Sequence, residues 1–293
     1  LAELRAEEAA RTLPAWLVVD ADTSPRGLLE KGRDWVLRLE DGAVKDGVGD
    51  SLPPLPLGLH ELRAGAARCT LISAPRRLPP PSRCWGVMLP LHALRPAGTG
   101  GLADYADLAG VSEGLAGLGA DFVGLNPIHA GFFNDPGGFS PYTPSHRRRL
   151  SAFHIADGAA PAPDGPLIDY ATEIPRRRAA LAQAFAEFET SGGDPDFEHF
   201  LKAEGDALGL FTLHQALSDR LGAYWRDWPQ EMRDPASSAV ATARTELQES
   251  MRFHAWCQWR AQEGLLRANA HARAAGMGLG LYLDLAVGTH PHG

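Results

Sequence analysis

Three cysteines in 293 residues are too few for a disulfide scaffold, and Cys69, Cys84 and Cys257 share no spacing that would hold a metal ion. An odd number of scattered thiols reads as reduced cysteine in a cytoplasmic protein, with no cofactor implied. No apolar run is long enough to span a bilayer, so no membrane partner is expected. Excess positive charge is missing as well. The 28 Lys and Arg against 36 Asp and Glu leave a formal net charge of −8, whereas a nucleic-acid surface usually neutralises phosphates with a basic excess. The one basic cluster, His146, Arg147, Arg148 and Arg149, reads as a solvated or ion-paired loop. A secretory leader is not visible either, because residues 1–8 are charged and helical in character. They also lack an initiating methionine, so the front of the chain is expected to be trimmed.

What remains is the composition of a soluble globular protein, 44% hydrophobic and 22% charged, with room for two domains. Residues 1–74 are rich in short strand candidates, at 16–19, 35–39, 58–62 and 69–72. Turn signals at Glu40-Asp41-Gly42 and Lys45-Asp46-Gly47 separate them, which predicts a small β-sandwich. The stretch 75–84 is proline-rich, cannot continue a central strand, and reads as a linker.

From residue 85 the pattern changes to strand, polar tip, helix, strand, polar tip. The strand at 85–91 runs into Arg95, Gly98, Gly100, Gly101 and Asp104. A helix at 106–118 follows, with Leu108, Val111, Leu115 and Leu118 at helical spacing and Gly119 as its stop. A second strand at 121–129 runs into Gly137, Gly138, Ser140 and Tyr142. A helical insertion is predicted over about 174–275, with helices at 177–188, 197–207, 210–221 and one long helix at 237–275. On that last helix Leu247, Met251, Ala255 and Trp259, widened by Phe253 and Trp256, read as a buried packing face. Tyr224, Trp225 and Trp228 read as loop aromatics, exposed and suited to the flat faces of sugars. A third strand at 279–285 places Asp284 at its carboxyl end. Parallel α/β domains gather ligands at the carboxyl ends of their strands. The site is therefore expected at these tips.

Competing motifs are weak. Gly98-Thr99-Gly100-Gly101-Leu102-Ala103 fits a dinucleotide fingerprint formally, but the acidic residue that should close the second strand is replaced by Asn126 and Pro127. Ser140 lacks the second glycine of a nucleophile elbow, and Pro141 removes a backbone N–H that an oxyanion hole would use. His290 and His292 lack a third metal ligand and read as a flexible tail.

Four collinear segments carry a family resemblance: residues 101–105 (GLADY), 119–130 (GADFVGLNPIHA), 140–145 (SPYTPS, with Arg147 and Arg148 beyond it), and 280–288 (GLYLDLAVG). They resemble the 4-α-glucanotransferases, also called amylomaltases or disproportionating enzymes, of the wider α-amylase clan. Weaker similarity reaches back to about Leu37. Two departures stand out: Leu283 occupies a usual arginine position, and residues 91–95 lack a usual tyrosine and serine.

The resemblance implies the first part of a (β/α)8 TIM barrel over residues 85–293, an α/β fold carrying the helical insertion and preceded by the small sandwich. It also implies a retaining transfer of α-1,4-glucan segments between glucans, which needs two carboxylates. In the family these sit on later strands, so the chain is expected to bind an α-1,4-glucan or maltooligosaccharide while a complementary catalytic fragment supplies the chemistry. The rival expectation is a non-catalytic glucan-binding or scaffold protein. By the same resemblance Tyr142 holds the sugar at the cleavage site, presented by Pro141 and Pro144, and Asp284 accepts from vicinal hydroxyls. Ser140, Asn126, His129 and Asp104 are further candidates. Asn126 and His129 have a plainer role open to them, satisfying backbone groups at a strand end, and Asp104 has helix capping.

Overall fold

The computed structural model describes residues 13–78, 80, 82–95, 101–156 and 167–293. The opening segment 1–8 and the glycines Gly98 and Gly100 of the formal dinucleotide pattern lie outside the described residues, as do Pro79 and Pro81 of the proline-rich stretch. The chain divides into two compact units between Ser82 and Arg83.

The first unit is one five-stranded sheet of order β1-β5-β4-β2-β3. Its strands are β1 (Trp16–Asp20), β2 (Asp34–Arg38), β3 (Val44–Val48), β4 (Gly58–Ala64) and β5 (Ala67–Ala74). Alternation in β2, β4 and β5 turns Leu37, Leu62 and Leu71 to a fully buried face. A sandwich was expected, and the second layer proves to be loop rather than sheet: Leu29, Leu52 and Leu55 close over that face. Glu40-Asp41-Gly42 forms the hairpin turn as expected, with Leu39 N–H donating to the Ala43 carbonyl at 2.8 Å. Lys45-Asp46-Gly47 does not turn. It lies within β3, where Gly47 pairs with Trp35 and leaves space for the indole that a Cβ would invade.

In the second unit β6 (Gly86–Met88), β7 (Phe122–Gly124) and β10 (Gly280–Tyr282) form a parallel sheet of order β10-β7-β6. Helix α1 (Tyr105–Gly117) links the first two strands. Asp104 starts it with a capping box: its carboxylate accepts from the backbone N–H of Ala106 and Asp107, and Asp107 accepts in return from Asp104 N–H. Between β7 and β10 come the short hairpin β8 (His129–Ala130) and β9 (His146–Leu150), then helices α2 (Tyr170–Thr190), α3 (Pro195–Leu221), α4 (Ser238–Glu246) and α5 (Gln248–Ala274).

Several boundaries moved for local reasons. Helix α2 begins before Pro175 because Asp169 caps it, accepting from Thr172 N–H and Thr172 Oγ1. The two helices expected at 197–221 run on without a loop as α3 and meet at a kink at Gly205 (φ 52°, ψ −140°), a few residues before the expected break. The single helix expected at 237–275 is two, parted at Leu247 (φ −101°, ψ 15°). Its apolar face divides accordingly: Ala255, Trp256 and Trp259 enter the main core, while Leu247 and Met251 join a satellite cluster with Trp228. Trp228 is 3% exposed and donates its indole N–H to the Gly222 carbonyl at 2.8 Å. It is a core residue, not an exposed sugar platform. The run His146–Arg149 is strand β9 rather than a loop, although Arg149 is ion-paired with Glu204 at 2.6 Å. The expected flexible tail also packs, with the His290 ring stacked on Tyr224 at 5.5 Å.

Candidate functional site

The register of the parallel sheet fixes where the tips fall. Met88, Gly124 and Tyr282 lie in one row. Two residues further along each strand direction come Pro90, Asn126 and Asp284, so the three tips share one end of the sheet. Asp284 stands just past β10 and is exposed to solvent.

Side chains lace the tips together. Asn126 is buried, and its Oδ1 accepts from Leu91 N–H at 2.9 Å while its Nδ2 donates to the Pro127 carbonyl at 3.0 Å and faces His92 Nδ1 at 3.4 Å. The second tip is thereby tied to the first. His129 ties it to the third, its Nε2 accepting from Ala286 N–H at 3.1 Å. Arg147 holds the other side of the same peptide run, donating to the carbonyls of Ala286 at 3.3 Å and Val287 at 2.7 Å. Asn126 and His129 thus both satisfy backbone groups, the plainer role open to them, and His129 in doing so helps fix the segment that carries Asp284. Burial and then the charge of Arg147 push the His129 imidazole below its ordinary range, with Asp284 pulling the other way. Its neutral form is the one that accepts from Ala286.

Ser140 and Tyr142 lie on the loop between β8 and β9. That loop is anchored at its end by Ser145, whose hydroxyl donates to the carbonyls of Ala130 at 3.0 Å and Gly131 at 2.9 Å. At its start, Asp135 accepts from Gly137 N–H at 2.9 Å and from the Tyr224 hydroxyl at 2.6 Å. Phe139 stacks on Tyr170 at 4.2 Å and 8°. Tyr142 differs from all of these. Its side chain is 61% exposed and has no hydrogen bond or ring contact among the described residues. Asn126, His129 and Ser140 line one small cavity of about 40 Å³, together with His92, Phe139 and His154. Tyr142 and Asp284 stand outside it, and Asp104 is occupied as a helix cap.

A buried ionic clamp backs this region. Glu173 and Arg177, both on α2, pair at 2.8 Å, and Arg177 also donates to the carbonyls of Phe153 at 2.9 Å, Ile155 at 3.3 Å and Leu102. Glu173 accepts from Leu102 N–H at 3.2 Å and from Arg176 at 2.8 Å. Burial alone would raise the Glu173 carboxyl, but the two guanidiniums outweigh it and hold the group below its usual range. Nothing in the sequence marked this pair. Three consecutive arginines after Pro175 look like a solvated helix face, and only the packing of α2 over residues 102 and 153–155 buries the second of them.

Residues 89–293 match the 4-alpha-glucanotransferase family. The chain belongs to this family. Among curated 4-alpha-glucanotransferases, it is 31% identical to that of Mycobacterium tuberculosis, over 97% of this chain and 48% of the relative. To the Haemophilus influenzae enzyme it is 29% identical, over 81% of this chain and 41% of the relative. The crystal structure of amylomaltase from Corynebacterium glutamicum superposes with a TM-score of 0.66 at 25% identity, covering all of this chain and 47% of that one. Amylomaltase from Streptococcus agalactiae in complex with acarbose shares the fold, with a TM-score of 0.60 at 18% identity over 70% of this chain and 43% of that one. The chain therefore spans about half the length of the 4-alpha-glucanotransferases it matches. Among the described residues, no helix is long and apolar enough to cross a membrane, and no cluster of three or more His, Cys, Asp or Glu is arranged to hold a metal.

Proposed function

We propose that this chain is the glucan-binding part of a 4-α-glucanotransferase that moves α-1,4-linked segments between maltooligosaccharides in the cytoplasm. In the retaining reaction a carboxylate attacks the anomeric carbon while a second carboxyl protonates the departing glycosidic oxygen. An acceptor hydroxyl then returns its proton to that carboxylate and displaces the enzyme ester. Both carboxylates are assigned to polypeptide beyond residue 293, in keeping with the half-length match to the relatives. Within this chain Tyr142 is assigned to the sugar at the cleavage site and Asp284 to vicinal hydroxyls, with Ser140 beside them.

The observation that carries this reading is the tyrosine itself. A ring offered to solvent from a loop anchored at both ends, on the ligand-gathering end of a parallel sheet, has no packing role to explain it. Acarbose bound to the S. agalactiae relative supports an oligosaccharide as ligand. Met88, Tyr282, Leu283, Leu285 and Val287 are exposed apolar residues on or just beyond β6 and β10, and the rest of a barrel would cover them. The free thiols Cys69, Cys84 and Cys257 suit a reducing compartment.

The test uses the purified chain and maltotriose. It is expected to bind the sugar, to release no glucose, and to gain transferase activity when the remaining half of the polypeptide is supplied in trans. Dose-dependent glucose release by the chain alone would show that the carboxylates lie within it.

A further inference from the structure

The cavity that holds Asn126 and Ser140 contains one side chain that nothing so far explains. His154 sits in the 3-10 turn Ala152–His154, is 8% exposed, and lines the cavity wall. Its Nδ1 lies 2.9 Å from the Ala103 carbonyl, which can only accept, so Nδ1 carries the proton. Burial depresses the imidazole to about 4, which keeps it neutral at pH 7. Nε2 is therefore a bare lone pair, and it has no partner among the described residues. The residue is buried but this nitrogen is not among the fully enclosed unpartnered atoms, so water or a ligand group can reach it.

Several other polar atoms around the cavity are already committed. Asn126 spends its amide on Leu91, Pro127 and His92; His129 Nε2 accepts from Ala286; Ser151 Oγ accepts from Phe153 N–H. Besides His154 Nε2, the hydroxyls of Ser140, Ser151 and Tyr170 and one ring nitrogen each of His92 and His129 donate to nothing among the described residues, and Ser140 is exposed. An acceptor nitrogen among hydroxyl and imidazole donors suits a group that both donates and accepts, as an alcohol does. The volume limits which alcohol. A water needs roughly 10–15 Å³ of such space, so about 40 Å³ holds a short arm and no pyranose ring.

We infer that His154 is a substrate-binding residue whose Nε2 accepts a hydrogen bond from the exocyclic hydroxymethyl of one glucose unit, the arm alone entering the cavity. This rests on the glucan reading above and adds a specificity to it: the site prefers hexose units bearing a primary hydroxyl over units that lack one. The ring of that glucose stays outside, at the mouth marked by Phe139 and Ser140.

The experiment titrates the full chain with maltotriose and with the analogue in which every primary hydroxyl is replaced by hydrogen, using wild type and His154→Phe. Loss of one neutral hydrogen bond predicts that wild type binds the deoxy sugar roughly fivefold to tenfold more weakly, and that His154→Phe binds both sugars alike. Near-ultraviolet circular dichroism checks that the variant is folded, and the comparison of two sugars on wild type needs no variant. Equal affinity of wild type for both sugars would mean that the cavity holds only water, and a preference kept by a folded His154→Phe would move the contact elsewhere. Either result overturns the inference while leaving the glucan reading intact. If wild type binds no maltotriose, the glucan reading fails and the inference fails with it.

Discussion

Tyr142 is free because of what flanks it. Pro141 and Pro144 restrict the backbone on either side, and Ser145 pins the loop from beyond, so the ring is held out with no packing partner. Truncating it should therefore leave stability nearly untouched. Tyr142→Ala is expected to shift the melting temperature by no more than an exposed substitution does, yet to weaken maltotriose binding by on the order of 1 kcal/mol, the worth of a stacking contact. A role on the reacting sugar would also lower kcat once the catalytic half is present, rather than only raising KM. Loss of melting temperature with unchanged affinity would instead make Tyr142 a packing residue. Asn126 is the contrast within the same site. Its amide is consumed by backbone, and replacing it would disturb the frame before any ligand.

Among the elements, α3 shows how one residue sets a shape. Sequence spacing suggested two helices with a break near 208–209, and the chain instead bends at Gly205 without a loop. There φ is 52° and ψ −140°, a region closed to residues with a Cβ. No atom lies within 4 Å of where a Cβ would stand, so the cost of adding one is backbone strain alone. Gly205→Ala should destabilise the second unit by roughly 1–3 kcal/mol, measured as a lower urea midpoint with an unchanged slope. An unshifted midpoint would mean that the bend is not required. The turn of α5 against α1 depends on glycine differently. Gly264 lies under Tyr105, whose ring a Cβ would strike at 2.7 Å.

The pH response is a property of the whole second unit, because burial shifts several of its imidazoles the same way. His154 is depressed by burial from 6.5 to about 4, and burial also lowers His92 and His129. As pH falls the unfolded chain takes up these protons first, so the stability they represent is complete above 6.5 and drains away between 6.5 and the folded values. For His154 the gap is about 2.5 units from these two values, or at most about 3 kcal/mol at 1.36 kcal/mol per unit. Glu173 adds to the loss only at lower pH, because a depressed carboxyl contributes above its unfolded value and is lost as pH falls through its folded one. Urea midpoints should therefore decline from pH 7 to pH 5 in wild type, and decline less in His154→Phe. Identical pH profiles for the two proteins would remove His154 as the source.

Sequence determined what depends on neighbours along the chain. Period and punctuation marked the strands at 35–39, 58–62 and 69–72, the helix after Asp104 with its cap and stop, and the packing face of Phe253, Trp256 and Trp259. The collinear segments identified the family. Tertiary structure decided what depends on residues far apart. Gly47 read as a turn until the Trp35 ring was seen to need its space. Trp228 reads as exposed because it lies on a loop, yet it packs with residues of α3 and α4. Arg177 and His154 carried no signal at all. An arginine is solvated by default, and a lone histidine is unremarkable. Only the approach of residues 102–103, the 3-10 turn at Ala152–His154 and α2 makes one an internal clamp and leaves the other's Nε2 without a partner among the described residues. Burial changes the chemistry of a side chain by removing the water that would otherwise satisfy it, and burial is set by contacts that local spacing does not contain.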